Sequence, residues 1–150
     1  MTFIDTNVLV YSADKRDLSK QVIARGLIAI ALDNRQYVVS WQVLNEFANV
    51  ALTKLAMSED EVCDYLSYFR RLQLQMPKQE MTERALDIRK RYGIQFYDAL
   101  IVAAAEAGGC DEIYTEDLND GQMYCGMKAV NPFKEFDNNK QGEKANEQNA

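Results

Sequence analysis

Short apolar strand patterns alternate with longer helical ones along this chain, and that alternation restricts the fold more than any other feature. Phe3-Ile4, Tyr37-Val38-Val39 and Ile113-Tyr114 each make a brief apolar run closed by a polar residue. Runs this short, bounded by polar residues, suit strands covered on both faces. Helical spacing fills the intervals between them, as in Val22, Ile23, Leu27, Ile30 and Ala31 within Leu18 to Asn34. Strand–helix alternation predicts an α/β domain with a largely parallel sheet. The stretch from Tyr97 to Ala105 is apolar on nearly all sides, so it predicts a helix buried within that assembly.

Local signals mark several boundaries. Ser40 precedes Trp41 as a candidate N-cap, and Val43 and Phe47 begin one stripe. Ser58 and Glu61 have capping-box spacing. Val62, Tyr65, Leu66, Phe69 and Leu72 follow as an apolar face, and Leu74 to Met76 reads as a short extended piece. Thr82 to Tyr92 reads as a helix closed by Gly93 in the left-handed conformation. Met127 to Phe133 reads as a last strand closed by Asn-Pro. Beyond it the chain is polar and low in complexity. The organisation expected is one domain over residues 1–136 and a disordered tail over 137–150.

The chain has 150 residues and no histidine. Imidazole bases, Ser-His-Asp systems and His-ligated zinc are thereby excluded. Its three cysteines have no metal-ligand spacing, which points to a reducing cytoplasm. The first apolar run is short, is broken by Asp5 and has no basic lead-in, unlike a secretory signal. No apolar run is long enough to span a membrane. The net charge of −6 argues against a protein that coats duplex nucleic acid through a basic surface.

The acids are distributed in a telling way. Asp5 ends the first strand, Glu46 lies in the helix after the second, Asp98 opens the buried helix, and Asp117 follows the third strand. Ligands of parallel α/β sheets bind at the carboxyl ends of the strands. Each acid also has an ordinary role open to it: turn former for Asp5 and Asp117, helix-face residue for Glu46, N-cap for Asp98. Together they would repel one another unless a cation held them. An oxygen-only donor set selects a hard ion such as Mg²⁺ or Mn²⁺. The main basic cluster is Arg70, Arg71, Arg84, Arg89, Lys90 and Arg91. It is either a salt-bridged helix face or a phosphate-binding rim.

The segments Phe3 to Leu9, Val43 to Phe47, Tyr97 to Ala104 and Tyr114 to Gly121 resemble the four signature blocks of PIN-domain nucleases, most closely the VapC-type toxins of toxin–antitoxin pairs. The resemblance runs from about residue 2 to 133, in the family's order and spacing. It implies a three-layer α/β/α PIN-like fold and a Mg²⁺-dependent endoribonuclease, with Mn²⁺ as a substitute ion. It makes Asp5, Glu46, Asp98 and Asp117 the catalytic and metal-binding acids, with Asp5 and Asp98 foremost as direct ligands. Thr6, Asn7 and Thr115 would orient carboxylates or water, with Asp120 an additional acid. Glu116 is expected to face away. Arg70, Arg71 and Arg89 would contact RNA. A cognate antitoxin and a homodimer complete what the resemblance implies. The alternatives are a housekeeping PIN nuclease for RNA processing and a non-catalytic scaffold that binds metal or protein.

Overall fold

The computed structural model describes residues 1–134. The expected tail, 137–150, and the last residues of the expected domain lie outside the described residues. The elements are β1 (Thr2–Ile4), α1 (Thr6–Ala13), α2 (Leu18–Asp33), β2 (Tyr37–Ser40), α3 (Trp41–Thr53) and α4 (Glu59–Phe69). Then come β3 (Gln73–Gln75), α5 (Gln79–Tyr92), α6 (Phe96–Ala107), β4 (Glu112–Tyr114), β5 (Met123–Tyr124) and β6 (Met127–Val130). A single six-stranded sheet has the order β3-β2-β1-β4-β6-β5. Every pairing is parallel except β5 with β6.

This order positions the site. The chain steps outward from β1 to β2 and β3, then returns to place β4 on the other side of β1. Right-handed crossovers put α1 to α4 on one face and α5 and α6 on the other, which gives the three layers. The direction reverses between β1 and β4, and a crevice opens at the carboxyl ends of two such strands. Phe3 pairs with Ile113 and Ile4 with Tyr114. That register brings the residues that follow, Asp5 and Thr115, to the same edge.

The core is continuous through the sheet. Phe3, Ile4, Val39 and Ile113 meet Val8, Leu9, Val43 and Phe47 from one layer and Ile88, Ala99 and Val102 from the other. α6 is buried over most of its surface, from Ala99 and Ile101 through Ala105, as its composition demands. The Ser58–Glu61 capping box forms in both directions. Ser40 accepts from the Val43 N–H. Gly93 ends α5 at φ 66°, where a Cβ would be strained. Among the described residues, no helix is long and apolar enough to cross a membrane.

Three local features add to or alter the expectations. The segment after Asp5 is a helix, α1, because Asp5 accepts from the Thr6 N–H and caps it. α2 buries Gln21, Ala24, Ile28 and Ala31, whereas Val22 and Ile30 are exposed. Its apolar residues surround the helix, so periodicity does not single out the face that packs on α1. Met123–Tyr124 adds a short antiparallel strand that the pattern of Met127 to Phe133 does not announce.

Candidate active site

Asp5 lies at the end of β1, 4% exposed. Its two oxygens accept from the Thr6 N–H at 2.6 Å and from the Thr115 hydroxyl at 2.7 Å. Thr115 follows β4, so two adjacent strand ends build this contact. Thr6 also donates its hydroxyl to Glu46 Oε2 at 2.7 Å, and one residue thereby touches two acids. Gln42, one turn earlier on α3, donates its amide to Glu46 Oε1 at 2.7 Å. Asn7 donates to Asp117 Oδ2 at 3.2 Å and to Thr115 Oγ1 at 3.4 Å. The Asp117 N–H donates to the same hydroxyl at 3.1 Å. Glu46, Thr6, Asp5, Thr115, Asn7 and Asp117 thus form one connected network.

The carboxylates also feel one another's charge. Burial pushes the Asp5 carboxyl up to about 7, despite the two hydrogen bonds that favour its ionised form. The nearby charges of Asp117 and Glu46 add to that rise. Asp98, in the first turn of α6, is also raised, first by burial and then by Asp117 and Glu46. Asp98 makes no hydrogen bond within the network, yet it feels two of its acids. Among the described residues, none of the four carboxylates forms an ion pair. The donor chemistry fits a hard divalent cation, and the buried, unpartnered Asn7 Oδ1 adds a neutral oxygen beside it. The spacing differs from the expectation: among the described residues, no three carboxylate or thiol side chains stand close enough together to hold one ion. Three of the four acids are instead tied to hydroxyl or amide neighbours.

Other expected residues lie elsewhere. Asp120 accepts from the Asn131 N–H and pairs with Lys134 at 3.0 Å, outside the network. Glu116 does not turn away. It lines the same cleft as Glu46 and Asp117, with its carboxylate held by Tyr11 at 2.6 Å and Lys20 at 3.2 Å. Arg70 and Arg71 precede β3, and Arg71 pairs with Asp33 near the start of β2. They occupy the amino edge of the sheet, opposite the acids, and line a separate hollow with Arg35 and Gln73. Arg89 is exposed in the last turn of α5 and does not line the cleft. The cations that do line it are Arg16 and Lys54. Nothing in local sequence marks those two, whereas Gln42 had a signal: it stands four residues before Glu46, the spacing of facing pairs on a helix.

A family model described as "PIN domain" matches residues 2–119. The chain belongs to the PIN domain family. Its fold is that of several solved PIN-type toxins. It aligns with VapC20 of Mycobacterium tuberculosis, a sarcin–ricin-loop-cleaving toxin, at TM-score 0.64 and 16% identity, over 85% of this chain and 99% of that one. A toxin–antitoxin complex from Klebsiella pneumoniae aligns at TM-score 0.65 and 22% identity, over 88% and 98% of the two chains. VapBC2 of Rickettsia felis, bound to a promoter DNA fragment, aligns at 0.61 and 17%, over 87% and 97%. No curated protein matches the chain in sequence. Within this PIN domain, the matched span takes in all four acids, Asp5, Glu46, Asp98 and Asp117.

Proposed function

We propose that this PIN domain is a Mg²⁺-dependent endoribonuclease and the toxin of a toxin–antitoxin pair. One observation carries the reading: Asp5 and Asp98 each feel the charges of Asp117 and Glu46, none of these four carboxylates forms an ion pair among the described residues, and burial raises Asp5 to about 7. A fold gains nothing in stability from such repulsion, whereas a divalent cation would relieve it. Asp5, Asp98, Asp117 and Glu46 would hold the ion. When bound, Mg²⁺ supplies Lewis acidity toward the scissile phosphate and the attacking water. The chain's own groups do the rest. Thr115 and the Thr6 N–H fix Asp5, Asn7 steers Asp117, and Thr6 with Gln42 aims Glu46. Glu46 or Asp117 takes the proton of the attacking water. Mn²⁺ is expected to substitute. A cognate antitoxin, a second copy of the chain and a cytoplasmic setting belong to the same reading, and the toxin–antitoxin complexes among the structural neighbours support the first of these.

The test is incubation of the protein and its Asp5→Asn variant with a mixed structured RNA pool in Mg²⁺, Mn²⁺ or EDTA. Discrete fragments are expected only with an ion and only from the unaltered chain. A second reading, a non-catalytic scaffold, is favoured by one observation: the acids are not drawn together into a ready ion site. Absence of cleavage together with no ion binding by calorimetry would establish that reading instead.

A further inference from the structure

The cleft lined by Glu46 and Asp117 has a second end. A cleft of about 420 Å³ runs between α1 and α3, from Asn7, Glu46 and Asp117 to Asp14, Arg16 and Lys54. Beyond them a hollow of about 380 Å³ continues past Lys15, Glu61, Asp64 and Tyr65, and shares Asp14, Arg16 and Lys54 with the first. Glu46 and Lys54 are eight positions apart along α3 and its cap. At about 1.5 Å per residue this is about 12 Å, several times the ~3.4 Å rise per nucleotide of a stacked strand. The wall between the two ends carries Val10, Tyr11 and Val50.

The cationic end is built. Asp14 is 5% exposed, yet its carboxylate faces one partner, Arg16. Arg16 donates Nε to Asp14 Oδ1 at 2.9 Å and Nη2 to Oδ2 at 3.0 Å, and its backbone N–H also donates to Oδ1 at 3.0 Å. A guanidinium carries five N–H donors. Two are spent on Asp14, and the remainder stand on an exposed edge in a fixed orientation. Lys54 is exposed and forms no ion pair among the described residues. A chain of net charge −6 repels a polyanion at long range, so a strand that enters this cleft needs local positive charge.

We infer that Arg16 and Lys54 form a phosphate subsite that holds the RNA backbone one or more nucleotides from the scissile bond, with Asp14 fixing the Arg16 fork. This rests on the nuclease reading and names where its substrate is gripped. Arg16 and Lys54 at one end of the cleft, Glu46 and Asp117 at the other, and Val10, Tyr11 and Val50 between them suit a single-stranded segment, whose phosphates and bases alternate along its length.

The test compares the wild type, Arg16→Ala/Lys54→Ala and Arg70→Ala/Arg71→Ala. Anisotropy of a fluorescein-labelled RNA hairpin with a mixed-sequence loop, in Ca²⁺, gives affinity across a salt series. Cleavage of the same hairpin in Mg²⁺ gives KM and kcat. All four side chains are exposed, and matching melting curves check that the fold is intact. Arg16→Ala/Lys54→Ala should bind roughly tenfold more weakly, and its log–log salt slope should flatten by about 1.4, or about 0.7 per phosphate contact on a single strand. KM should rise by a similar factor, with kcat little changed. Arg70→Ala/Arg71→Ala should match the wild type. Equal affinity and slope in Arg16→Ala/Lys54→Ala, with a wild type that binds and cleaves, would overturn the subsite and leave the nuclease reading intact. A loss confined to Arg70→Ala/Arg71→Ala would overturn it in favour of the opposite edge. A wild type that neither binds nor cleaves RNA would remove both.

Discussion

At the residue scale, burial of Asp5 carries a cost in folding. Its carboxyl is raised to about 7 in the native state, chiefly by burial, against roughly 3.9 in an unfolded chain. The native state therefore holds this proton more tightly. The cost of ionising Asp5 is absent below about pH 4, grows as pH rises and is complete above about 7. In EDTA, Asp5→Asn should melt above the wild type at pH 8, with the gap closing toward pH 4.5. A constant gap across that range in thermal denaturation would contradict it. Glu46 poses a different question, because its direction is set by others. Gln42→Leu keeps the side chain's bulk but removes the 2.7 Å bond to Oε1. Loss of such an outer partner typically costs 10–100-fold. Cleavage by Gln42→Leu should thus fall roughly tenfold in kcat, with KM for RNA unchanged and the melting temperature little moved.

At the element scale, the segment after β4 is fastened to α1 and α2 by one cation. Lys20 reaches Glu116 at 3.2 Å and the Tyr11 hydroxyl at 3.3 Å, and lies over the Tyr11 ring at 4.7 Å. Burial works against its charge, and the hydrogen bonds to Tyr11 and Glu116 outweigh that and raise its pKa. Tyr11 in turn packs edge-on against Phe133 at 4.9 Å. Lys20 thereby neutralises Glu116, which stands next to Asp117, and holds the loop that carries both. Lys20→Met leaves a part-buried carboxylate with the Tyr11 hydroxyl but without its cation, at a cost of about 2 kcal/mol. Urea unfolding should show that loss. The same variant should cleave more slowly even where it is fully folded, because the Asp117 loop is no longer pinned.

At the scale of the whole molecule, the site is a consequence of strand order. The turn-back between β1 and β4 places two strand ends side by side. α3 supplies Glu46 from one layer, and α6 supplies Asp98 from the other. Glu46 and Asp98 thus come from helices on opposite faces of the sheet, while Asp5 follows the end of β1. The cations that line the cleft with Glu46 and Asp117 are Arg16 and Lys54, and among the described residues neither pairs with those two acids.

The sequence by itself determined most of the framework. Short covered strands and the all-round apolar helix require a parallel sheet between helical layers, and Ser40, Ser58 and Gly93 state their caps locally. Asp5, Glu46, Asp98 and Asp117 stood out as candidates because each sits at a fixed place relative to a strand end or a helix start. Those signals are short in range, and the chemistry of neighbouring residues suffices to write them. The tertiary structure alone decided which cations share the cleft, since Arg16 and Lys54 are distant in sequence and Arg70 and Arg71 are turned to the opposite edge by the strand direction. It also decided which face of α2 is buried, because a helix with apolar residues on several sides leaves that choice to the partner it meets. The hold of Lys20 on Glu116 spans 96 positions. No local pattern encodes a contact of that range, and only the closing of the sheet brings its two ends together.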